Sequence, residues 1–290
     1  MAGTRLLVVG GYSEEERWRV PRLPRAGEPA YAETFERRPG GKAFHQATAA
    51  AHTGTGTGLI AAIGDDIIDP AGLPPLVDAR WQVVPGVRTG RTGLFEDARG
   101  ETLAVLSAGA NDHLSAAFVA AQGELFDEAS VLLASAETNI DTVAAALEFA
   151  GAKRLLRILD PGPLPAGLSV REFASTDVLL LGLHEFAQAC GRFLSIEITS
   201  QAVTGMDDTT INALARRLCA GTVVVSLDKS CLVSHGADRH DDHADVYRVP
   251  ACGHGDAFKG TLAARLTLPG CFRDALAAAC ERSVQATLRA

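Results

Sequence analysis

Short, continuous apolar runs recur along this chain and are separated by Ala-rich stretches of helical period. That rhythm constrains the fold more than any other feature. Leu6–Val9, Leu59–Ile63, Val131–Leu133, Leu155–Leu159, Val178–Leu181 and Val223–Leu227 have the length and composition of strands buried on both faces. Between them, Thr138–Phe149 puts Ile140, Val143, Ala144 and Leu147 on one helical face and is closed by Gly151, and Thr209–Cys219 and Asp274–Arg289 follow the same logic. Strand-then-helix alternation implies a mainly parallel sheet covered by helices on both sides. Residues 1–290, 47% of them hydrophobic, suffice to bury one large α/β domain, and no repeat or low-complexity linker marks a second.

Two stretches break the rhythm, Trp18–Arg38 and Val87–Ser107. They are rich in Pro, Gly and Arg and alternate in polarity, which predicts a small, partly exposed β-layer over about 12–38 and 87–107. The chain carries 27 basic and 35 acidic residues, a formal net charge of -8, without a basic run that would track a phosphate backbone, so nucleic acid is excluded as the expected partner. The apolar run at Leu6–Val9 is too short for a signal sequence or a membrane span. Six scattered cysteines without CxxC spacing, in a chain large enough to need no staples, predict reduced thiols and a cytoplasmic protein.

The sharpest local signal is Cys252-Gly253-His254-Gly255-Asp256-Ala257-Phe258-Lys259-Gly260, which opens a helical segment. Glycines before a helix let backbone N–H groups converge on an anion, and an Asp in the first turn either caps the helix or acts as a general base. Taken alone, the motif fits a tight turn with an N-cap as well as a phosphate site. A second glycine motif, Gly40-Gly41-Lys42-Ala43-Phe44-His45-Gln46-Ala47, opens an Ala-rich helix that runs to His52.

Together these two motifs resemble the paired signatures of the ribokinase-like (PfkB) kinases, Gly-Gly-Lys-x-x-Asn-Gln-Ala near the N-terminus and Gly-x-Gly-Asp near the C-terminus. Pro24-x-x-Gly27-Glu28, Gly64-Asp65-Asp66, Ala108-Gly109-Ala110-Asn111, Leu132-Leu133 leading to Glu137, and Asp160-Pro161 fall in matching order between them. The resemblance covers nearly the whole chain. It implies a ribokinase-like three-layer α/β sandwich with a mainly parallel sheet and a small β-sheet lid that pairs two subunits into a homodimer.

The resemblance further implies an ATP- and Mg2+-dependent kinase acting on a hydroxyl, in most cases a primary alcohol, of a sugar, nucleoside or related polyol. Asp256 would be the base and the backbone of Gly253, His254 and Gly255 the anion hole. Ser13, Glu15, Gly41, Lys42, His45 and Glu137 would hold the acceptor. Ser226, Asp228 and Glu185 would meet the nucleotide, with Glu185 organising the metal through water.

Several positions depart from the family pattern. Ser13-Glu14-Glu15 replaces Asn-x-Asp and His45 replaces Asn, which argues against ribose itself as acceptor. Gly182 stands where Asn precedes the metal-organising Glu, Asp228 where Gly meets the nucleotide, and Pro250-Ala251 where Asp-Thr serves a monovalent cation, so cation activation is not expected. These changes on the nucleotide side leave open the alternative of a binding or regulatory protein of the same fold that has lost phosphotransfer. His235–His243, rich in imidazole and carboxylate, is expected to be a solvated hairpin loop rather than a metal site. Lys259 either approaches a phosphate or points to solvent.

Overall fold

The computed structural model describes residues 5–68, 70–227, 230–236, 245–250 and 255–287, the last five by backbone alone. Thirteen strands and ten helices are formed among them: β1 (Leu6–Val9), β2 (Ser13–Val20), β3 (Thr34–Gly40), α1 (Lys42–Ala51), β4 (Thr57–Gly64), β5 (Val77–Val84), β6 (Gly90–Asp97), β7 (Thr102–Ser107), α2 (Ala116–Ala120), α3 (Gly123–Glu128), β8 (Val131–Ser135), α4 (Ile140–Ala152), β9 (Leu156–Asp160), α5 (Val170–Ala174), β10 (Val178–Gly182), α6 (Leu183–Leu194), α7 (Ser200–Thr204), α8 (Asp208–Leu218), β11 (Thr222–Leu227), β12 (Ser230–Ser234), β13 (Val246–Pro250), α9 (Asp256–Arg265) and α10 (Phe272–Thr287).

Nine strands form the main sheet in the order β13-β12-β11-β10-β9-β8-β1-β4-β5. Pairing is parallel from β11 through to β5, and β12 and β13 add an antiparallel edge. Alternation along each central strand divides the core in two. Leu7, Val9, Leu132 and Leu179 face a cluster built with α4, α6 and α8, while Leu6, Val8, Leu133 and Val178 face one built with α1, α9 and α10. The expected three-layer α/β architecture is therefore present, and no described helix is long and apolar enough to cross a membrane.

The four remaining strands form a second sheet, β3-β2-β6-β7, at the two stretches expected to leave the main rhythm. Its β2–β6 pairing is parallel and the outer pairings are antiparallel. Asn111 joins it to the main sheet. Its side chain accepts from the Tyr12 backbone N–H at 3.0 Å and donates to the Tyr12 carbonyl at 2.7 Å, fixing the turn from β1 into β2.

Four local expectations need correction. The α4 helix begins at Ile140 because Asn139 caps it, accepting from the backbone N–H of Asp141 and Thr142. It runs past Gly151 to Ala152, and its buried face is Thr142, Val143, Ala146, Leu147 and Ala150, leaving Ile140 and Ala144 half-buried. The edge strand β5 was absent from the expected set because its half-exposed side chains carry no continuous apolar run. His235 is buried at the end of β12, with Thr222 Oγ1 at 3.1 Å from its Nδ1, so it is not part of a solvated loop; residues 237–243 of that segment lie outside the described residues. Finally, Cys190, Cys219 and Cys271 are free, but Cys231 and Cys280, both buried on the α1–α9–α10 face, are disulfide-bonded, which corrects the expectation of reduced thiols.

The contact that matters most for function is between α1 and α9. A Cβ at Gly260 would lie 2.1 Å from the Gln46 carbonyl oxygen, so only glycine lets the two helices approach this closely. Gly260→Ala is expected to force them apart and to cost about 1–3 kcal/mol by overpacking. Urea unfolding would show this as a lower midpoint at an unchanged slope.

Candidate active site

The close approach at Gly260 brings together motifs more than 200 positions apart in sequence. Gly41 precedes α1 with φ 87°, and a Cβ there would sit 2.7 Å from the Gly11 carbonyl oxygen, so the loop closes directly on the end of β1. Gly255 precedes α9 with φ 85°, also in the left-handed region, and turns the chain so that Asp256 is the first helical residue. Lys42 begins α1 as Asp256 begins α9, and Lys42 Nζ lies 3.8 Å from Asp256 Oδ1.

Around this junction the structure gathers most of the residues expected to meet an acceptor. Glu137, just beyond β8, accepts from the Lys42 backbone N–H at 3.0 Å. Burial raises its carboxyl above the ordinary range, partly offset by the Lys42 charge. Ser13 is buried at the start of β2 and shares a 3.1 Å hydrogen bond with Thr92 on β6. Glu15 and His45 face each other, with His45 Nε2 2.7 Å from Glu15 Oε1, and Arg38 donates to the other Glu15 oxygen at 3.1 Å. The second sheet thus reaches α1 directly through the Glu15–His45 contact.

Glu15 and His45 each perturb the other's titration. Burial alone would lower the imidazole, but the hydrogen bond and charge of Glu15, with Asp256 farther off and Arg38 opposing, hold its pKa above the ordinary 6.5. Burial alone would raise Glu15, but its bonds to His45 and Arg38 bring it below 4.5. The His45 contribution to stability is therefore complete below 6.5 and lost as pH rises through the higher folded value. The Glu15 contribution is present above 4.5 and lost as pH falls through the lower one. The stability difference between the native chain and His45→Gln should be largest near pH 5–6 and shrink by about pH 9, as read by denaturant unfolding at both pH values. A difference that does not vary with pH would contradict the pairing.

Beneath the acceptor residues lies a buried charge cluster that sequence reasoning missed. Asp160, at the end of β9 and 1% exposed, accepts from Lys259 Nζ at 2.6 Å and from Gln46 Nε2 at 2.8 Å, with Lys42 Nζ at 3.6 Å. Burial would raise its pKa, but Lys259 and Lys42 hold it below 3.8. Burial likewise would lower Lys42, yet Asp160, Asp256 and Glu137 keep it firmly protonated. Lys259 does not point to solvent. Its side chain is 7% exposed and turned inward from α9. Asp160-Pro161 and Gln46 were quoted as motif letters, which was the available signal; the pairing itself depends on tertiary packing.

A neighbouring cleft of about 400 Å³ is lined by Lys42, Gly182, Glu185, Ser226, Gly255 and Lys259, among others. It places Glu185 and Ser226 beside the start of α9. Glu185 sits in the first turn of α6 and folds back over two glycines. A Cβ at Gly182 would be 2.2 Å from Glu185 Oε2 and one at Gly162 2.6 Å from Oε1. Glycine in place of the family Asn at 182 thus makes room for this carboxylate. Gly253, His254 and Asp228 lie outside the described residues. Among the described residues no group of three His, Cys, Asp or Glu side chains could hold a metal ion.

Comparison with known proteins agrees with the fold. The chain is 26% identical over 257 residues to a deoxyribokinase of Salmonella typhi, covering 83% of this chain and 78% of that one. In fold it is similar to a ribokinase of Giardia lamblia, with TM-score 0.75, 19% identity and coverage of 91% and 83%. It is also similar to an Arabidopsis thaliana ribokinase complexed with ribose and ATP, with TM-score 0.71, 19% identity and coverage of 97% and 91%. The family model of the pfkB family carbohydrate kinases matches residues 4–289, and the chain belongs to that family.

Proposed function

We propose that the chain transfers the γ-phosphoryl group of ATP to a hydroxyl, assigned here as a primary alcohol, of a sugar, nucleoside or related polyol. The observation that carries this reading is the meeting of Asp256, Lys42 and the 400 Å³ cleft at the paired starts of α1 and α9. Asp256 opens a helix preceded by a positive-φ glycine and lies 3.8 Å from Lys42 Nζ. In our assignment it takes the proton of the attacking hydroxyl. The amides of Gly253, His254 and Gly255 and the Lys42 ammonium hold the charge that develops on the transferred group.

Glu15, His45, Ser13, Gly41 and Glu137 are assigned to the acceptor, and Ser226 and Asp228 to the nucleotide. Glu15 and His45 are already paired, so an acceptor must offer a donor to the carboxylate and an acceptor atom to the imidazolium in place of that bond. A vicinal diol does both; among diol-bearing acceptors, ribose itself is disfavoured by the added length of Glu15 and the ring of His45.

The donor set of the cleft fits magnesium. Mg2+ keeps several waters and needs only one or two carboxylates beside substrate phosphates, and Glu185, folded into the cleft by two glycines, supplies one. When bound there, the ion would neutralise phosphate charge. The intact Asp256 and Glu185 favour a working kinase over a binding protein that has lost transfer.

The second sheet is assigned as a lid and as the surface that pairs two copies. One face carries Ser13, Glu15, Arg38 and Thr92 toward the acceptor. The other carries Trp18, Phe35, Phe95, Leu103 and Val105, with Phe35 52% and Val105 61% exposed, around Glu16, Arg37 and Arg91, a mixed-charge centre that suits a second copy of itself. Val105→Asp should therefore sediment as a monomer where the native chain sediments as a dimer.

The test of function is ADP release and phosphorus NMR of products across a panel of sugars, nucleosides and polyols with Mg-ATP. Phosphoester formation on one of them is the expected result. Failure of every acceptor, with the protein folded, would move the reading to the binding protein.

A further inference from the structure

We propose that Gln46 is the positioning residue of the catalytic base, and that Asp160, clamped by Lys259, fixes Gln46 in turn. The inference rests on the assignment of Asp256 as base. Gln46 is fully buried on α1, and its Nε2 donates to Asp160 Oδ2 at 2.8 Å and to Asp256 Oδ1 at 3.0 Å. Both amide hydrogens are thereby committed. Turning the amide over would aim its carbonyl oxygen at two carboxylates, so the side chain has one tolerable orientation.

Asp160 cannot drift, because Lys259 Nζ holds its Oδ1 at 2.6 Å and the Gly162 backbone N–H points at the same oxygen at 3.4 Å. Asp256 is different. It follows a glycine, is 21% exposed, and its Lys42 neighbour is no nearer than 3.8 Å, so the Gln46 bond is its short anchor. A base that swings by an ångström loses alignment with the hydroxyl, and such misplacement costs about 10²-fold in rate without weakening binding. Gln46 touches neither reactant in this arrangement and acts only through Asp256.

Two variants of near-native shape separate this role from simple packing. Gln46→Met keeps volume and removes both donors. It should lower kcat about 10²-fold while leaving the KM of acceptor and nucleotide within about twofold. Gln46→Glu keeps shape but can donate only when protonated, so its activity relative to the native enzyme should recover as pH falls. Crystal structures of both variants should show the Asp256 carboxylate displaced from its place against α1. Native-like kcat with Asp256 unmoved overturns the proposal, as does a rise in KM alone or a loss in Gln46→Glu that does not respond to pH. If the native chain phosphorylates no acceptor, the kinase reading fails; the positioning claim is then decided by the Asp256 conformation in the two crystal structures.

Discussion

Asp256→Asn is expected to leave the fold intact and to lower kcat by about 10²–10⁴-fold, the usual contribution of a positioned general base. The replacement is nearly isosteric. An Asn oxygen still accepts from Gln46 Nε2, now 3.0 Å from Oδ1, so α1 and α9 keep their junction. What disappears is a group able to take a proton, together with one negative charge 3.8 Å from Lys42 Nζ. Acceptor and nucleotide KM should change little, because Asp256 is a member of neither the Glu15–His45 hydrogen bond nor the lining of the cleft around Glu185. Steady-state kinetics beside calorimetric binding of a non-hydrolysable ATP analogue separates the two quantities. A variant that keeps kcat within a few-fold of native would remove Asp256 from the base role.

Which parts of this arrangement could be read from sequence follows from where the physics is local. Strands β1, β4, β8, β10 and β11 were legible because burial on both faces demands an unbroken apolar run, and Leu6–Val9 and Val178–Leu181 have one. The second sheet was legible as an exception to that rule. Edge strand β5 was not, because half-exposed positions such as Arg80 and Gln82 look like loop. Asp256 and Lys42 stood out because glycines mark the turns before them. Lys259 and Gln46 were present in the same motifs, yet their meaning comes from Asp160, a residue 99 positions from one and 114 from the other. No periodicity reports such a meeting.

Lys259→Met should be the most destabilising single change near the site. The pair it breaks is nearly dry, with Lys259 7% and Asp160 1% exposed, and Asp160 stays ionised because Lys259, with Lys42, overcomes burial. Removing one member of a buried pair costs about 3–5 kcal/mol, since the remaining charge loses its compensation without regaining water. Lys42 at 3.6 Å and Gln46 at 2.8 Å remain beside Asp160, which places the expected loss toward the lower end. Asp160 has a folded pKa below its unfolded value, so its stabilisation is present above 3.8 and fades as pH falls through the folded value. The deficit of Lys259→Met should accordingly be full at neutral pH and shrink in acid, where the native chain loses the same contribution. Adding Asp160→Asn to Lys259→Met should recover most of the loss at neutral pH, because two neutral groups then face each other. Urea midpoints of the single and double variants at pH 7 and at about pH 2 decide the matter. A double variant as unstable as Lys259→Met, or a deficit unaffected by acid, would mean that lysine packing rather than its charge holds this corner of the fold.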